Sequence, residues 1–137
     1  MKQNQKGFTL IELLAVIVIL AIIALIATPI ILGVVNDSRM KAAEDSAYGV
    51  VKSVQLAISE SQITDNPQDS AFIDFSESNR NVGTKVVRIS GTEPTEGTVA
   101  IDSQGNVTVS NLKINNYYCN GTDKITCSTT PKTGSGE

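Results

Sequence analysis

The chain has 137 residues, with 14 acidic and 11 basic side chains and a net charge of −3 at pH 7. It contains no His, which excludes Ser-His-Asp triads, His general bases and His metal ligands. The mildly acidic balance also lacks the basic field expected of a nucleic-acid-binding protein. The length accommodates one membrane-length segment and one small domain.

An uncharged segment near the N-terminus is long enough to cross a membrane. No residue from Leu13 to Asn36 is charged, and roughly 20 apolar residues suffice for a spanning helix. The preceding flank carries Lys2, Lys6 and the starting amine, so the positive-inside rule predicts a cytoplasmic N-terminus and export of the chain after Asp37. A cleaved secretory signal and a plain single-span anchor are the alternatives.

Glu12 lies at the edge of this segment without a cationic partner in it. No Lys or Arg occurs between Gly7 and Ser38, and an ionised carboxylate costs about 2.5–3.5 kcal/mol near the centre of a bilayer, less near its interface. Cleavage after Gly7 would create an amine on Phe8. A neighbouring copy shifted along the helix axis could then present that amine to Glu12 and set the register of a helix bundle.

The stretch KGFTLIELLAVIVILAIIALIATP resembles the signal and N-terminal helix of type IV pilins and of the pseudopilins of type II secretion and competence systems. In this resemblance Lys6-Gly7 precede the cut, Phe8 is the first mature residue, and Glu12 is the fifth. The resemblance implies cleavage after Gly7 and N-methylation of Phe8 by a prepilin peptidase. It also implies that Glu12 pairs with the Phe8 amine during assembly.

The same resemblance implies a type IV pilus subunit precursor, held in the cytoplasmic membrane by one span before it joins a helical filament of identical subunits at the cell surface. The implied partners are the peptidase and N-methyltransferase, the assembly platform with its ATPase motor, minor pilins and membrane lipid. We expect neither enzymatic activity nor a cofactor, a metal or direct nucleic-acid binding. The alternative is a pseudopilin of a type II secretion or competence DNA-uptake system, which the absence of an obvious acidic calcium cluster disfavours.

Two residues weaken the apolar helix. Pro29 lacks an N–H, and its ring clashes with the carbonyl one turn back. Gly33 makes the helix less stable by about 1 kcal/mol than Ala would at the same position. These are either defects tolerated in a membrane span or a segment that stretches or melts when subunits pack into a fibre, and the resemblance favours the second.

The pattern after the apolar segment predicts an α+β head. Apolar residues at steps of three and four continue the helix, which is expected to run from about Phe8 to about Ser61. In the polar loop that follows, the FIDF sequence at Phe72–Phe75 is expected to fix the loop to the core or, alternatively, to contact another subunit.

The chain is predicted to comprise three segments: a leader (1–7), a hydrophobic transmembrane or filament-core helix (8–36) and a globular head (37–137). Within the head, we expect an amphipathic helix (37–61), a loop (62–83), a β-meander (84–114) and a C-terminal region (115–137).

Three short β-branched segments predict the strands of an antiparallel meander packed on the amphipathic helix face. The alternation of apolar residues changes parity near Asn111, which indicates a bulge or a bend. The tripeptide SQG predicts a tight hairpin between the second and third strands. The predicted strands are Thr84–Ser90, Thr98–Asp102 and Asn106–Ile114.

Cys119 and Cys127 are compatible with a disulfide, half of a metal site or two free thiols. Export favours the disulfide, and a zinc site would need carboxylates because the chain has no His and no further Cys. The resemblance also implies a disulfide-closed C-terminal region.

Overall fold

The computed structural model describes residues 7–64, 71–77, 80–82, 85–102 and 104–133. A single helix, α1, spans Leu10–Thr64 and is 55 residues long. The prediction of one continuous helix through the apolar and amphipathic segments is therefore confirmed. The chain divides into two compact units between Ser38 and Arg39, and each unit is considered by itself.

In the first unit α1 is apolar on all sides. Its large hydrophobic side chains are exposed throughout, from Leu10 at 84% to Val35 at 37%. Among the described residues, α1 is the one helix that is long and apolar enough to cross a membrane. A helix that is hydrophobic all round is stable only when a membrane or a larger assembly buries it.

The helix continues through Pro29 and Gly33 without interruption. Just before the proline, the Thr28 hydroxyl donates to the carbonyl oxygen of Ala24 at 2.7 Å, a side-chain bond that competes with the helical ladder and often bends helices. Neither Pro29 nor Gly33 breaks the helix in a single chain. Stretching or melting at this segment during assembly stays a prediction.

The second unit packs the rest of α1 on an antiparallel sheet, which confirms the predicted α+β fold. The five-stranded sheet has the order β1-β4-β5-β6-β7, and β2 pairs with β3 in a separate ribbon. The strands are β1 Ala71–Asp74, β2 Asn81–Val82, β3 Lys85–Val86, β4 Glu96–Ile101, β5 Val107–Ile114, β6 Tyr117–Gly121 and β7 Thr126–Ser128.

The core lies between one stripe of α1 and the inner face of this sheet. Ala43, Ala47, Val50 and Val54 are completely buried, and the two alanines allow the sheet to approach the helix closely. Alternate strand residues complete the core, because successive side chains of a strand point to opposite faces. The buried apolar residues of the five-stranded sheet are Ile73, Val99, Ile101, Val107, Val109, Leu112, Ile114, Cys119 and Cys127, and Val82 of the β2–β3 ribbon is buried as well.

The predicted strand at Thr84–Ser90 is wrong in extent and in pairing. Only Lys85–Val86 forms a strand, and it pairs with Asn81–Val82 rather than with β4. The edge of β4 is already occupied by β1, which belongs to the FIDF segment and lies inside the predicted loop. Residues after β3 still contribute to the core, with Val87 buried and Ile89 half-buried.

The prediction for the FIDF segment is correct at two of its apolar positions. Ile73 and Phe75 are buried and fix β1 to the core, whereas Phe72 is 66% exposed. Phe72 points away from the core because it alternates with Ile73 along the strand. Sequence inspection also missed the two C-terminal strands, β6 and β7.

The hairpin and the bulge in β5 are both confirmed. The Asp102 carboxylate accepts hydrogen bonds from the backbone N–H groups of Gln104 (2.9 Å) and Asn106 (2.8 Å) and from the Asn106 side chain (2.8 Å). The bonds from Asn106 lower the pKa of Asp102. The pairing of β5 with β6 shifts between Val109 and Leu112, and Asn111 there has φ 48°.

Gly97 on β4 lies against this bulge. It has φ 102°, and a Cβ at this position would lie 2.3 Å from the carbonyl oxygen of Asn111. Gly91 serves as a comparison. Its φ is 115°, but no atom of the described residues beyond its chain neighbours lies within 4 Å of the position that a Cβ on Gly91 would occupy. Comparing Ala substitutions at the two glycines therefore separates the cost of a positive φ from the cost of a steric clash.

We expect Gly97→Ala to lower the free energy of unfolding of the head by roughly 2–4 kcal/mol, since positive φ and overpacking both add cost. Gly91→Ala should cost about 1–2 kcal/mol from φ alone. The measurement is urea unfolding of a fragment that starts near residue 36, which we expect to fold because the buried core lies between Ala43 and Cys127. Equal losses in the two variants would contradict the close contact at Gly97.

Candidate functional site

The predicted cleavage site lies in an exposed, non-helical segment. Residues 7–9 precede α1, and Phe8 is 91% exposed. Among the described residues, and leaving out its chain neighbours, no atom lies within 4 Å of the position that a Cβ on Gly7 would occupy. No described part of the fold therefore covers the Gly7–Phe8 peptide bond.

Thr9 and Glu12 form a reciprocal pair at the start of α1. The backbone N–H of Thr9 donates to Glu12 Oε2 at 2.8 Å, and the backbone N–H of Glu12 donates to Thr9 Oγ1 at 3.3 Å. This arrangement is a capping box, in which two side chains satisfy backbone donors that the helix leaves unpaired. It explains why helix assignment begins at Leu10.

The capping role of Thr9 was missed in the sequence, although the TLIE spacing of Thr9 and Glu12 is the recognised signal for it. The capping box gives Glu12 a function within its own chain. The capping box uses only one of the two carboxylate oxygens, because Glu12 Oε1 accepts no hydrogen bond from the described residues. A carboxylate accepts on both oxygens, so a cation from outside the chain can bind Glu12 while the cap remains.

In the single chain, no ion pair joins Glu12 to another described residue. The backbone nitrogen of Phe8 is an amide linked to Gly7 and carries no charge before cleavage. The predicted pairing of Glu12 with the Phe8 amine therefore requires both cleavage and a second chain, and it stays a prediction.

The two cysteines form a disulfide across β6 and β7. Cys119 and Cys127 are direct cross-strand partners, with their Cα atoms 4.0 Å apart. Both are buried, Cys119 at 0% exposure and Cys127 at 8%. Of the three alternatives drawn from the sequence, the structure contains the disulfide.

The disulfide loop is also bonded to α1. The Tyr48 hydroxyl accepts a hydrogen bond from the backbone N–H of Ile125 at 2.9 Å. The Glu44 carboxylate accepts one from the backbone N–H of Cys127 at 3.2 Å. The helix thus supplies side-chain acceptors to two backbone N–H groups of this segment.

The residues after β7 return across the outer face of the sheet. The Asn111 side chain donates to the carbonyl oxygen of Lys132 at 2.9 Å and accepts from its backbone N–H at 2.8 Å. Asn120 Oδ1 in turn accepts the backbone N–H of Asn111 at 2.8 Å. The bulge in β5 is therefore the point at which the C-terminal segment is fixed.

Within the described residues, no group of three or more Cys, Asp or Glu side chains is placed to hold a metal ion. The described features that concern function are instead the exposed start of the chain, the capping box and the apolar helix.

Comparison with known proteins agrees with this arrangement. A family model described as the prokaryotic N-terminal methylation motif matches residues 2–28. The chain is 37% identical over 92 residues to a protein named fimbrial protein EcpC from Eikenella corrodens, an alignment that covers 67% of this chain and 60% of that protein. The match thus spans less than two thirds of the relative's length. No solved structure matches the chain significantly.

We expect the double change Cys119→Ala and Cys127→Ala to lower the free energy of unfolding of the oxidised head by about 2–3 kcal/mol, because a closed loop of roughly ten residues restricts the unfolded chain by that amount. Thermal unfolding with and without a reducing agent measures the effect. Reduction should destabilise the unchanged protein and leave the double variant unaffected. A reduced protein as stable as the oxidised one would contradict the expectation.

Proposed function

We propose that this chain is a type IV pilin-like prepilin, the precursor of a subunit of a bacterial surface filament. The observation that carries the proposal is the apolar first half of α1, which is exposed on all sides in a chain whose buried core needs none of it. In the membrane, lipid covers this half, with the N-terminus in the cytoplasm. In the filament, the same half of neighbouring copies covers it, and the heads form the outer layer.

Maturation is proposed to occur at the Gly7–Phe8 bond. A membrane prepilin peptidase hydrolyses this bond, and the freed amine of Phe8 is then N-methylated. The match to the methylation motif and the exposure of both residues support this step. Lys2 and Lys6 keep the leader on the cytoplasmic side, where the enzyme would act.

Assembly is proposed to depend on Glu12 and the Phe8 amine of an adjacent copy. When helices bundle, water leaves the region around Glu12, and an unpaired carboxylate becomes costly. The new amine neutralises it through Glu12 Oε1, while Oε2 continues to cap its own helix. Axial register between copies follows, because only one offset brings the two groups together.

The role we propose is structural rather than catalytic. Identical copies are the principal partners, together with minor pilins, an assembly platform and an ATPase motor, since this sequence has no phosphate-binding loop to supply energy. Pro29 and Gly33 provide the segment that stretches as subunits pack. The similarity to a protein named as fimbrial supports the pilus over the pseudopilin alternative.

Variants at the capping box separate helix capping from charge pairing. Glu12→Gln keeps a side chain that can complete a capping box but removes the charge, whereas Thr9→Ala removes the cap and keeps the charge. We expect Glu12→Gln and Glu12→Ala to reduce sheared filaments at least tenfold, because a lost buried ion pair costs several kcal/mol, and Thr9→Ala to retain most of them. Electron microscopy and immunoblotting of sheared fractions measure this. Normal filaments from Glu12→Gln would show that capping alone is required.

We expect Gly7→Glu to leave the uncut precursor in the membrane, because a bulky charged side chain replaces the residue before the cleaved bond. Gly33→Ala is the control, since it changes a glycine inside α1, away from the cleaved bond, at a position where no described residue beyond its own helix lies within 4 Å of an added Cβ. Mass spectrometry of the membrane fraction should find a methylated N-terminal Phe8 in the control and residues 1–7 intact in Gly7→Glu. Normal processing of Gly7→Glu would contradict the proposed site.

A further inference from the structure

A concave pocket lies between the first turn of α1 in the second unit and the turn that joins β5 to β6. Its volume is about 440 Å³, and it is lined by Arg39, Ala42, Asn115, Asn116 and Tyr117. None of these residues belongs to the capping box, to the loop between Cys119 and Cys127 or to the cleavage site. The pocket therefore has no part in the functions considered so far.

The two asparagines are held on a rigid turn. Ile114 and Tyr117 pair directly across it, and Ile114 is completely buried. Asn115 has φ 56°, a conformation that Asn tolerates in two-residue hairpin turns. The backbone beneath the pocket is thus fixed before any ligand arrives.

Three of the side chains that line the pocket, those of Arg39, Asn115 and Asn116, carry hydrogen-bond donors. Within the described part of the chain, Arg39 makes no ion pair, and the side chains of Asn115 and Asn116 make no hydrogen bond. A guanidinium is always charged and offers several donors in a fork that matches phosphate oxygens. No acidic side chain lines the pocket. The chemistry suits a phosphate anion.

Chain connectivity keeps Arg39 close to the end of the apolar run. Arg39 follows Val35, the last residue of the apolar run, by four positions, so the two are separated by at most about 14 Å. The headgroup layer on each side of a bilayer is roughly 5–7 Å thick. Tyr and Arg are also side chains that favour this interface.

We propose that the pocket formed by Arg39, Asn115, Asn116 and Tyr117 binds the phosphate of an anionic phospholipid while the subunit resides in the membrane. Arg39 binds two phosphate oxygens, the asparagine amides donate to the remaining oxygens, and the acyl chains stay in the bilayer. The bound lipid holds the head in one orientation at the surface, and this contact is lost when the subunit is extracted. The inference rests on the proposed membrane-anchored precursor.

The test uses the full chain purified in a neutral detergent, with lipid binding followed by native mass spectrometry. Phosphatidylglycerol supplies an anionic phosphate, diacylglycerol lacks the phosphate, and glycerol phosphate lacks the acyl chains. Arg39→Gln removes the charge from the pocket. Lys41→Gln removes one charge from an exposed position two residues away that does not line the pocket. Asn115→Gly removes one amide and keeps the turn, since Gly accepts positive φ.

We expect the unchanged chain to bind one phosphatidylglycerol. Arg39→Gln should bind it roughly tenfold more weakly and Asn115→Gly severalfold more weakly, because each variant loses hydrogen bonds to a charged group. Lys41→Gln should bind within about twofold of the unchanged chain. Equal losses in Arg39→Gln and Lys41→Gln would show only diffuse attraction and overturn the pocket. Binding of diacylglycerol or glycerol phosphate with the same affinity would overturn the lipid assignment. These readouts need no filament, so processing and assembly of the variants test the proposed function separately.

Discussion

The apolar stripe of α1 between Ala43 and Ala57 packs on the inner face of the sheet, and this contact completes the core of the head. The core closes there, and among the described residues the large apolar side chains of residues 10–35 stay exposed. Hydrophobic surface of that extent is stable only against lipid or against other copies of the helix. The division of one helix into a buried half and an exposed half is therefore what calls for a membrane or an assembly to cover the exposed half.

The start of the helix combines two functions in one carboxylate. Glu12 completes a capping box with Thr9, and its second oxygen stays available for a cation. A capped helix end is ordered before assembly, so less conformational entropy is lost when chains meet. In the proposed assembly, the carboxylate that caps the helix would thus also specify how one helix aligns with the next.

Sequence reasoning succeeded where the signal was local and periodic. The helix, the hairpin at Asp102 and the parity change at Asn111 follow from the spacing of apolar residues and from turn chemistry. It failed for β1 and for Thr84–Ser90, because which segment pairs with the edge of β4 is a competition between distant parts of the chain. It missed β6 and β7 because their short strands depend on cross-strand pairing and on acceptors from Tyr48 and Glu44. The pocket at Arg39 also joins residues more than 70 positions apart, which no motif records.

The bonds from Tyr48 and Glu44 to the disulfide loop have a mechanical consequence. A filament under tension would be pulled along the axes of its helices, and each helix transmits that load to the head through its buried stripe. Two hydrogen bonds connect this stretch of helix to the segment that the Cys119–Cys127 disulfide holds between β6 and β7. Separating the helix from the sheet therefore requires breaking these two bonds as well as the apolar contacts of the core, while the disulfide keeps β6 and β7 joined to each other.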